Sequence, residues 1–241
     1  MRNYEVEQAA RVQWIRHVLE ESGAKGIVFG NSGGKDSALV GILCRMATEN
    51  TVGVIMPCGS KQNYASDADH ARLLAEQFHI HTKTVDLTKA RDALLPELDR
   101  ACRLIDQAKH NINPRLRMTA LYAIAQSLGY LVAGTGNKSE SYMGYFTKWG
   151  DGAYDFNPIA DLTAHEVTAF LTWLNAPQDI IQKAPSAGLF DGQTDEQEMG
   201  VTYAHIDAFI ETGAAPEDAV QIIRRAHAAT AHKRRMPIVY H

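Results

Sequence analysis

The stretch GIVFGNSGGKDSALVGILC, residues 26–44, constrains this chain more than any other. A short apolar run bounded by glycines reads as a buried strand, and the alanine, leucine and valine pattern after Asp36 reads as a helix. A strand that passes into a helix through a glycine-rich loop presents free backbone N–H groups, and the positive end of the helix dipole, at the carboxyl edge of a sheet. An anion belongs there. Gly33 and Gly34 permit dihedral angles and close approaches that side chains forbid, while Ser32 and Ser37 add hydroxyl donors. Asp36 would repel a bare phosphate, so its place in the loop implies Mg²⁺ between carboxylate and phosphates. Neither GxxxxGK[ST] nor GxGxxG is present, because Lys35 sits inside the turn and is followed by aspartate.

The alternation continues with TVGVIMP at 51–57, a helical stretch at 66–78 and an IHTKTV strand, preceded by an amphipathic helix that ends near Glu21-Ser22-Gly23. Three strand-then-helix units predict an α/β fold: a three-layer, Rossmann-like parallel sheet with helices on both faces. Helical patterns follow at 88–109 and at 114–128, where Leu121, Ile124, Ala125 and Leu128 share a face and Pro114 suits the first turn. YLVAG at 130–134 reads as a fourth strand. Residues 135–158 and 183–196 are expected to be irregular, with helices at 163–174 and through the tail to about Thr230. With no repeat and no linker, one domain over 1–241 is expected. Apolar residues at 45% support a packed core, and a net charge of −4 argues against nucleic acid or anionic membrane as partners. Cys44, Cys58 and Cys102 are too few and too scattered for a disulfide framework or a cysteine metal site. No run approaches a membrane span, so a cytoplasmic protein is expected. His79 and His81 are expected on opposite faces of the third strand, and no histidine pattern suggests a metal.

GTGNKSESYMGYFTKWGDGAYDFNPIADL, from Gly134 to Leu162, follows the fourth strand and so opens at the same sheet edge as the first loop. Parallel topology brings such loops together across a ligand crevice. Glu140 is then placed to share a cation with Asp36, Lys148 and Asp155 to touch a second polar substrate, and Thr135 to hydrogen-bond nucleotide.

The SGGKDS string resembles the pyrophosphate-binding signature of ATP pyrophosphatases, which cleave ATP to AMP and pyrophosphate. Taken with NINPRLRM at 111–118, GTGNKSE at 134–140, GYFTKWGDGAYDFNPI at 144–159, KAPSAGLFDGQTDEQEMG at 183–200 and HKR at 232–234, the chain resembles ammonia-dependent NAD⁺ synthetases over essentially its whole length. That resemblance implies ATP-dependent amidation of nicotinate adenine dinucleotide (deamido-NAD⁺) by ammonia through an acyl adenylate, giving NAD⁺, AMP and pyrophosphate. It implies that Gly30, Asn31, Ser32, Gly33, Gly34, Lys35, Asp36 and Ser37 cradle ATP phosphates, with Thr135 and Ser186 as further ATP contacts. Asp36 and Glu140 would hold Mg²⁺, and Arg115, Lys148, Asp155, His232 and Lys233 would bind the dinucleotide. Asp36, Glu140, Lys148 and Asp155 are the catalytic candidates, Lys148 orienting the substrate carboxylate and Asp155 steering ammonium or accepting its proton. Ala164 departs from the family pattern, where a lysine contacting ATP commonly stands, and Lys183 or Lys35 would have to supply the missing charge. No covalent nucleophile is expected.

The resemblance also implies a homodimer, and the helices at 88–109 and 114–128 carry more apolar residues than one buried stripe requires. Two other readings of the same loop stand beside this one. One is an RNA-modifying enzyme that adenylates a base carbonyl, which would want a basic extension and paired cysteines. The other is a nucleotide sensor without turnover. The basic run His232–Arg235 would then be a solvated end or a nucleic-acid patch instead of a flexible tail over dinucleotide phosphates.

Overall fold

The computed structural model of the protein describes residues 2–59, 62–183 and 194–240. Its sheet has the strands β1 (Ile27–Gly30), β2 (Thr51–Ile55), β3 (His81–Thr84) and β4 (Leu131–Ala133), in the order β3-β2-β1-β4 and parallel throughout. Successive side chains on β1 point to opposite faces. Ile27 and Phe29 pack with the helices α1 (Tyr4–Ser22), α2 (Lys35–Ala47) and α8 (Ala164–Trp173), around Ile15, Leu39, Leu43, Ile159 and Phe170. Val28 faces the other way, into a second cluster with Val52, Val54, Met56, Val132 and Ala125, the last from α6 (Ile112–Leu128). Covering on both faces explains why β1 and β2 read as unbroken apolar runs. The edge strand β3, with the sequence HTKT, is exposed along its length.

Phe29 fixes the spacing of these layers. A Cβ added at Gly41 on α2 would lie 2.6 Å from its ring, and one at Gly53 on β2 would lie 3.1 Å from it. The two glycines therefore leave the room that a fully buried phenylalanine occupies at the centre of the sheet. The helices α7 (Lys138–Met143), α11 (Tyr203–Thr212) and α12 (Glu217–Ala229) enclose a separate cluster of Met143, Tyr203, Ile206 and Ile223.

The parallel sheet and its covering helices are as expected, but several boundaries differ. The stretch 88–109 is two helices, α4 (Thr88–Ala101) and α5 (Asp106–His110). Cys102 is extended, and Asp99 Oδ1 accepts the Leu104 N–H at 3.0 Å to close the break. Residues 135–158 are not wholly irregular, since they contain α7, and 183–196 follows the short helix α9 (Gln178–Ile181) and at its end already includes the start of α10 (Asp195–Met199). Between them lie the residues 184–193, outside the described set. α3 spans Gln62–Gln77. His79 stands in a turn before β3, with φ of 54°, so it does not share a strand with His81.

Candidate active site

β1 delivers the chain to the carboxyl edge of the sheet at Gly30, and α2 begins five residues later. Between them Gly33 has φ of +70°, and a Cβ there would lie 2.2 Å from the Asp67 carbonyl oxygen, so both backbone and space demand glycine. The Ser37 hydroxyl donates to the Gly34 carbonyl at 3.0 Å and stands 3.0 Å from the Ser32 hydroxyl, which accepts the Gly34 N–H at 3.3 Å. These bonds hold the loop in a tight turn at the α2 N-terminus, the geometry that receives phosphate.

Facing it is the turn between β4 and α7. Asn137 caps α7 through a reciprocal box: its Oδ1 accepts the Glu140 N–H at 3.0 Å, and the Asn137 N–H donates to Glu140 Oε2 at 3.0 Å. Its Nδ2 also donates to Asp36 Oδ1 at 3.1 Å, so Asp36 and Glu140 lie side by side. Desolvation pushes the Asp36 carboxyl up to about 6 against the opposing pull of Asn137 and Lys35. Desolvation, followed by the charge of Asp36, holds Glu140 well above the usual carboxylate range. Two adjacent carboxylates in a poorly solvated crevice resist double ionisation unless a cation joins them. Asp195 stands close enough to raise both, its carboxylate accepting from the Tyr145 and Tyr203 hydroxyls at 3.2 Å each.

These groups line a cavity of about 530 Å³, together with Lys35, Lys183 and Ala164. Lys183 Nζ lies 2.6 Å from Asp67 Oδ1 and 3.3 Å from the Gly33 carbonyl, which presses its charge against the phosphate-binding turn. Both lysines weighed as substitutes for a charge at 164 therefore reach the cavity. Thr135 follows β4 and is half-buried, while Ser186 lies outside the described residues.

Arg115, Lys148, His232 and Lys233 gather elsewhere, around the loop 144–150. Lys148 Nζ donates to the His232 carbonyl at 2.6 Å and to the Arg235 carbonyl at 3.3 Å, and Arg115 donates to the Lys148 carbonyl at 3.4 Å. Lys233 donates to the Gly144 and Phe146 carbonyls at 2.8 and 2.7 Å. The basic tail is thus folded back on the glycine-rich loop. Asp155 is with neither the paired carboxylates nor this knot: its Oδ2 accepts the Val132 N–H at 2.7 Å and its Oδ1 the Tyr122 hydroxyl at 3.3 Å. Tyr122 and Arg115 are seven residues apart on one face of α6, roughly 10 Å along its axis.

Three site residues escaped the sequence reading. Asn137 and Asp195 are named above, and Asp151 is the third, its carboxylate accepting the Thr147 N–H at 2.9 Å and burial raising its affinity for a proton. For Asn137 the signal was present, because N-K-S-E is a capping-box pattern.

A phosphate-binding turn of this form, with paired carboxylates above it at the edge of a parallel sheet, defines an ATP pyrophosphatase of the PP-loop class. The NAD synthase family model matches residues 7–237. An NH₃-dependent NAD⁺ synthetase of Carboxydothermus hydrogenoformans is 44% identical over 240 residues, 98% of either chain. Among solved structures, an NMN synthetase from Francisella tularensis superposes with a TM-score of 0.94 at 36% identity, covering 100% of this chain and 99% of that one. An NH₃-dependent NAD synthetase from Campylobacter jejuni, in complex with nitrate, superposes with a TM-score of 0.82 at 26% identity and covers 100% of both. The chain belongs to the NAD synthase family, whose characteristic reaction is the ATP-dependent conversion of deamido-NAD⁺ to NAD⁺ with ammonia, and it is an enzyme of that kind.

Proposed function

We propose that the cavity carries out this reaction on magnesium-bound ATP, with Asp36 and Glu140 holding the cation and residues 30–37 the phosphates. The observation that carries the reading is the pair of desolvated carboxylates beside a phosphate-binding turn. Among the described residues no three acidic, histidine or cysteine side chains form a metal cage. None is needed, because Mg²⁺ is commonly bound by one or two carboxylates and substrate phosphates. Once bound, Mg²⁺ would neutralise charge on the departing pyrophosphate. Attack of the nicotinate carboxylate on the α-phosphorus gives the acyl adenylate, and ammonia then displaces AMP to form the amide. The loop amides stabilise phosphate charge directly, so no protein nucleophile is required. Lys35, Lys183, Thr135 and Ser186 complete the ATP contacts.

Arg115, Lys148, His232 and Lys233 bind the anionic dinucleotide, Lys148 exchanging its bonds to tail carbonyls for the nicotinate carboxylate. Asp155 has both oxygens engaged, which suits shaping that end of the substrate better than accepting a proton. The 1–241 domain works as a homodimer in the cytoplasm, without nucleic acid. The apolar excess on the helices of 88–109 and 114–128 supports this reading, since Leu94, Ile105 and Leu128 are 37%, 68% and 37% exposed. No described helix is long and apolar enough to cross a membrane. Sedimentation equilibrium at micromolar protein should give the mass of two chains; one chain's mass with and without substrate would defeat the dimer.

Incubation with ATP, Mg²⁺, deamido-NAD⁺ and ammonium should yield NAD⁺, AMP and pyrophosphate in equal amounts. ADP and phosphate alone, or a requirement for added RNA, would overturn the assignment. The likeness to the Francisella tularensis NMN synthetase supports a second reading, in which the same amidation is performed on nicotinate mononucleotide. Comparing kcat/KM for the two substrates decides between them.

A further inference from the structure

Asn137 is 2% exposed and touches both proposed cation ligands. Asp36 belongs to the first turn of α2 and Glu140 to the first turn of α7, so the two carboxylates arrive on separate segments. Capping explains only part of what Asn137 does. A serine, threonine or aspartate at this position would accept the Glu140 N–H equally well. The Nδ2 group is superfluous to the cap, and it is the group that reaches Asp36. The orientation of the amide follows from its partners: reversed, it would set oxygen against the Asp36 carboxylate and N–H against the Glu140 N–H. A neutral donor also suits the place chemically. A lysine or arginine there would neutralise the carboxylates and compete with a metal ion, whereas an amide restrains one oxygen of Asp36 and leaves the charge.

We propose that Asn137 is a positioning residue for the cation, setting the separation of Asp36 and Glu140 through Nδ2 while its cap fixes the Glu140 backbone. The inference rests on the reading of those carboxylates as magnesium ligands, and the test separates the two. The full chain is titrated with Mn²⁺ in the presence of α,β-methylene-ATP, by calorimetry, as wild type, Asp36→Asn and Asn137→Ser. The serine variant keeps the cap and loses the Asp36 bond. It should melt within a few degrees of wild type and bind Mn²⁺ about tenfold more weakly, since hydrogen bonds to charged groups are the stronger ones. The Mg²⁺ concentration for half-maximal turnover should rise by a similar factor, while KM for the nicotinate substrate at saturating Mg²⁺ stays unchanged. Wild-type Mn²⁺ affinity in Asn137→Ser, with affinity lost in Asp36→Asn, would reduce Asn137 to a helix cap and overturn the proposal alone. Wild-type affinity in Asp36→Asn would overturn the cation reading, and this proposal with it. Asn137→Thr, also a capping residue, serves the same comparison if the serine variant does not fold.

Discussion

Replacing Asp36 by asparagine should make the metal-free protein more stable at pH 8 while abolishing most of its activity. The carboxyl is raised from 3.8 to about 6, chiefly by desolvation, so the folded chain disfavours its charged form. The sign follows from linkage: between those values the native state binds more protons than the unfolded chain, and stability falls as pH rises. At 1.36 kcal/mol per pH unit, the loss approaches about 3 kcal/mol once the pH exceeds the native value. Asparagine keeps the shape and can still accept from Asn137 Nδ2, but it does not titrate. Urea denaturation of wild type and Asp36→Asn, without Mg²⁺ or ATP, should therefore show a gain for the variant that grows by about 1–2 kcal/mol from pH 5 to pH 8. Adding Mg²⁺ and ATP should reverse the order, since only the wild type then gains binding energy. A variant less stable than wild type at pH 8, or a difference that does not change with pH, would refute the claim that Asp36 is held at an energetic cost.

Gly33→Ala should raise the ATP KM at least tenfold, because the added Cβ would lie 2.2 Å from the Asp67 carbonyl and φ is +70°; an unchanged KM would show that the turn does not receive the phosphates. Arg11→Ala should cost about 1–3 kcal/mol in chemical denaturation, because Arg11 bonds Asp161, Glu7 and the Pro158 carbonyl and links α1 to the approach to α8. Burial opposes ionisation of Asp161, but Arg11 holds its carboxyl below the usual range, so this contribution should be present at neutral pH and fade in acid. Arg115→Ala should raise KM for the nicotinate substrate much more than KM for ATP; equal losses would indicate disruption of α6 and remove Arg115 from the substrate end.

How much of this was legible in the sequence varied with the range of the forces involved. The first loop could be read because three local signals agree: an apolar strand, glycines where side chains do not fit, and a helix start. The break between α4 and α5 could not, since the leucine spacing continues while Cys102 turns extended and Asp99 closes the gap. α7 is six residues long, too short to generate periodicity, so only its cap announced it. Asp155 shows the opposite limit. Its place in a motif suggested chemistry, yet its Oδ2 accepts a backbone N–H of edge strand β4 and its Oδ1 the Tyr122 hydroxyl, a role visible only when the chain after Gly134 is seen to run alongside that strand.

The charges divide the molecule in a way that fits two anionic substrates handled by different means. At the phosphate turn, Asp36, Glu140 and Asp195 face Lys35 and Lys183, and Lys183 is already paired with Asp67. A nucleotide triphosphate entering that cavity adds negative charge to negative charge, so cations must enter with it. Around the loop 144–150 the balance is reversed, with Arg115, Lys148 and Lys233 held by carbonyl oxygens instead of carboxylates. Carbonyls orient these side chains without neutralising them, and although the buried Asp151 carboxylate acts on Lys233, a net positive charge remains for a second anion. Substituting a carboxylate for a neutral residue should therefore be tolerated far less well around this loop than at the phosphate turn. Ala164 belongs to the same logic: a lysine there would relieve the repulsion at the turn, and in its absence more of the work falls on Lys183 and on the cation proposed between Asp36 and Glu140.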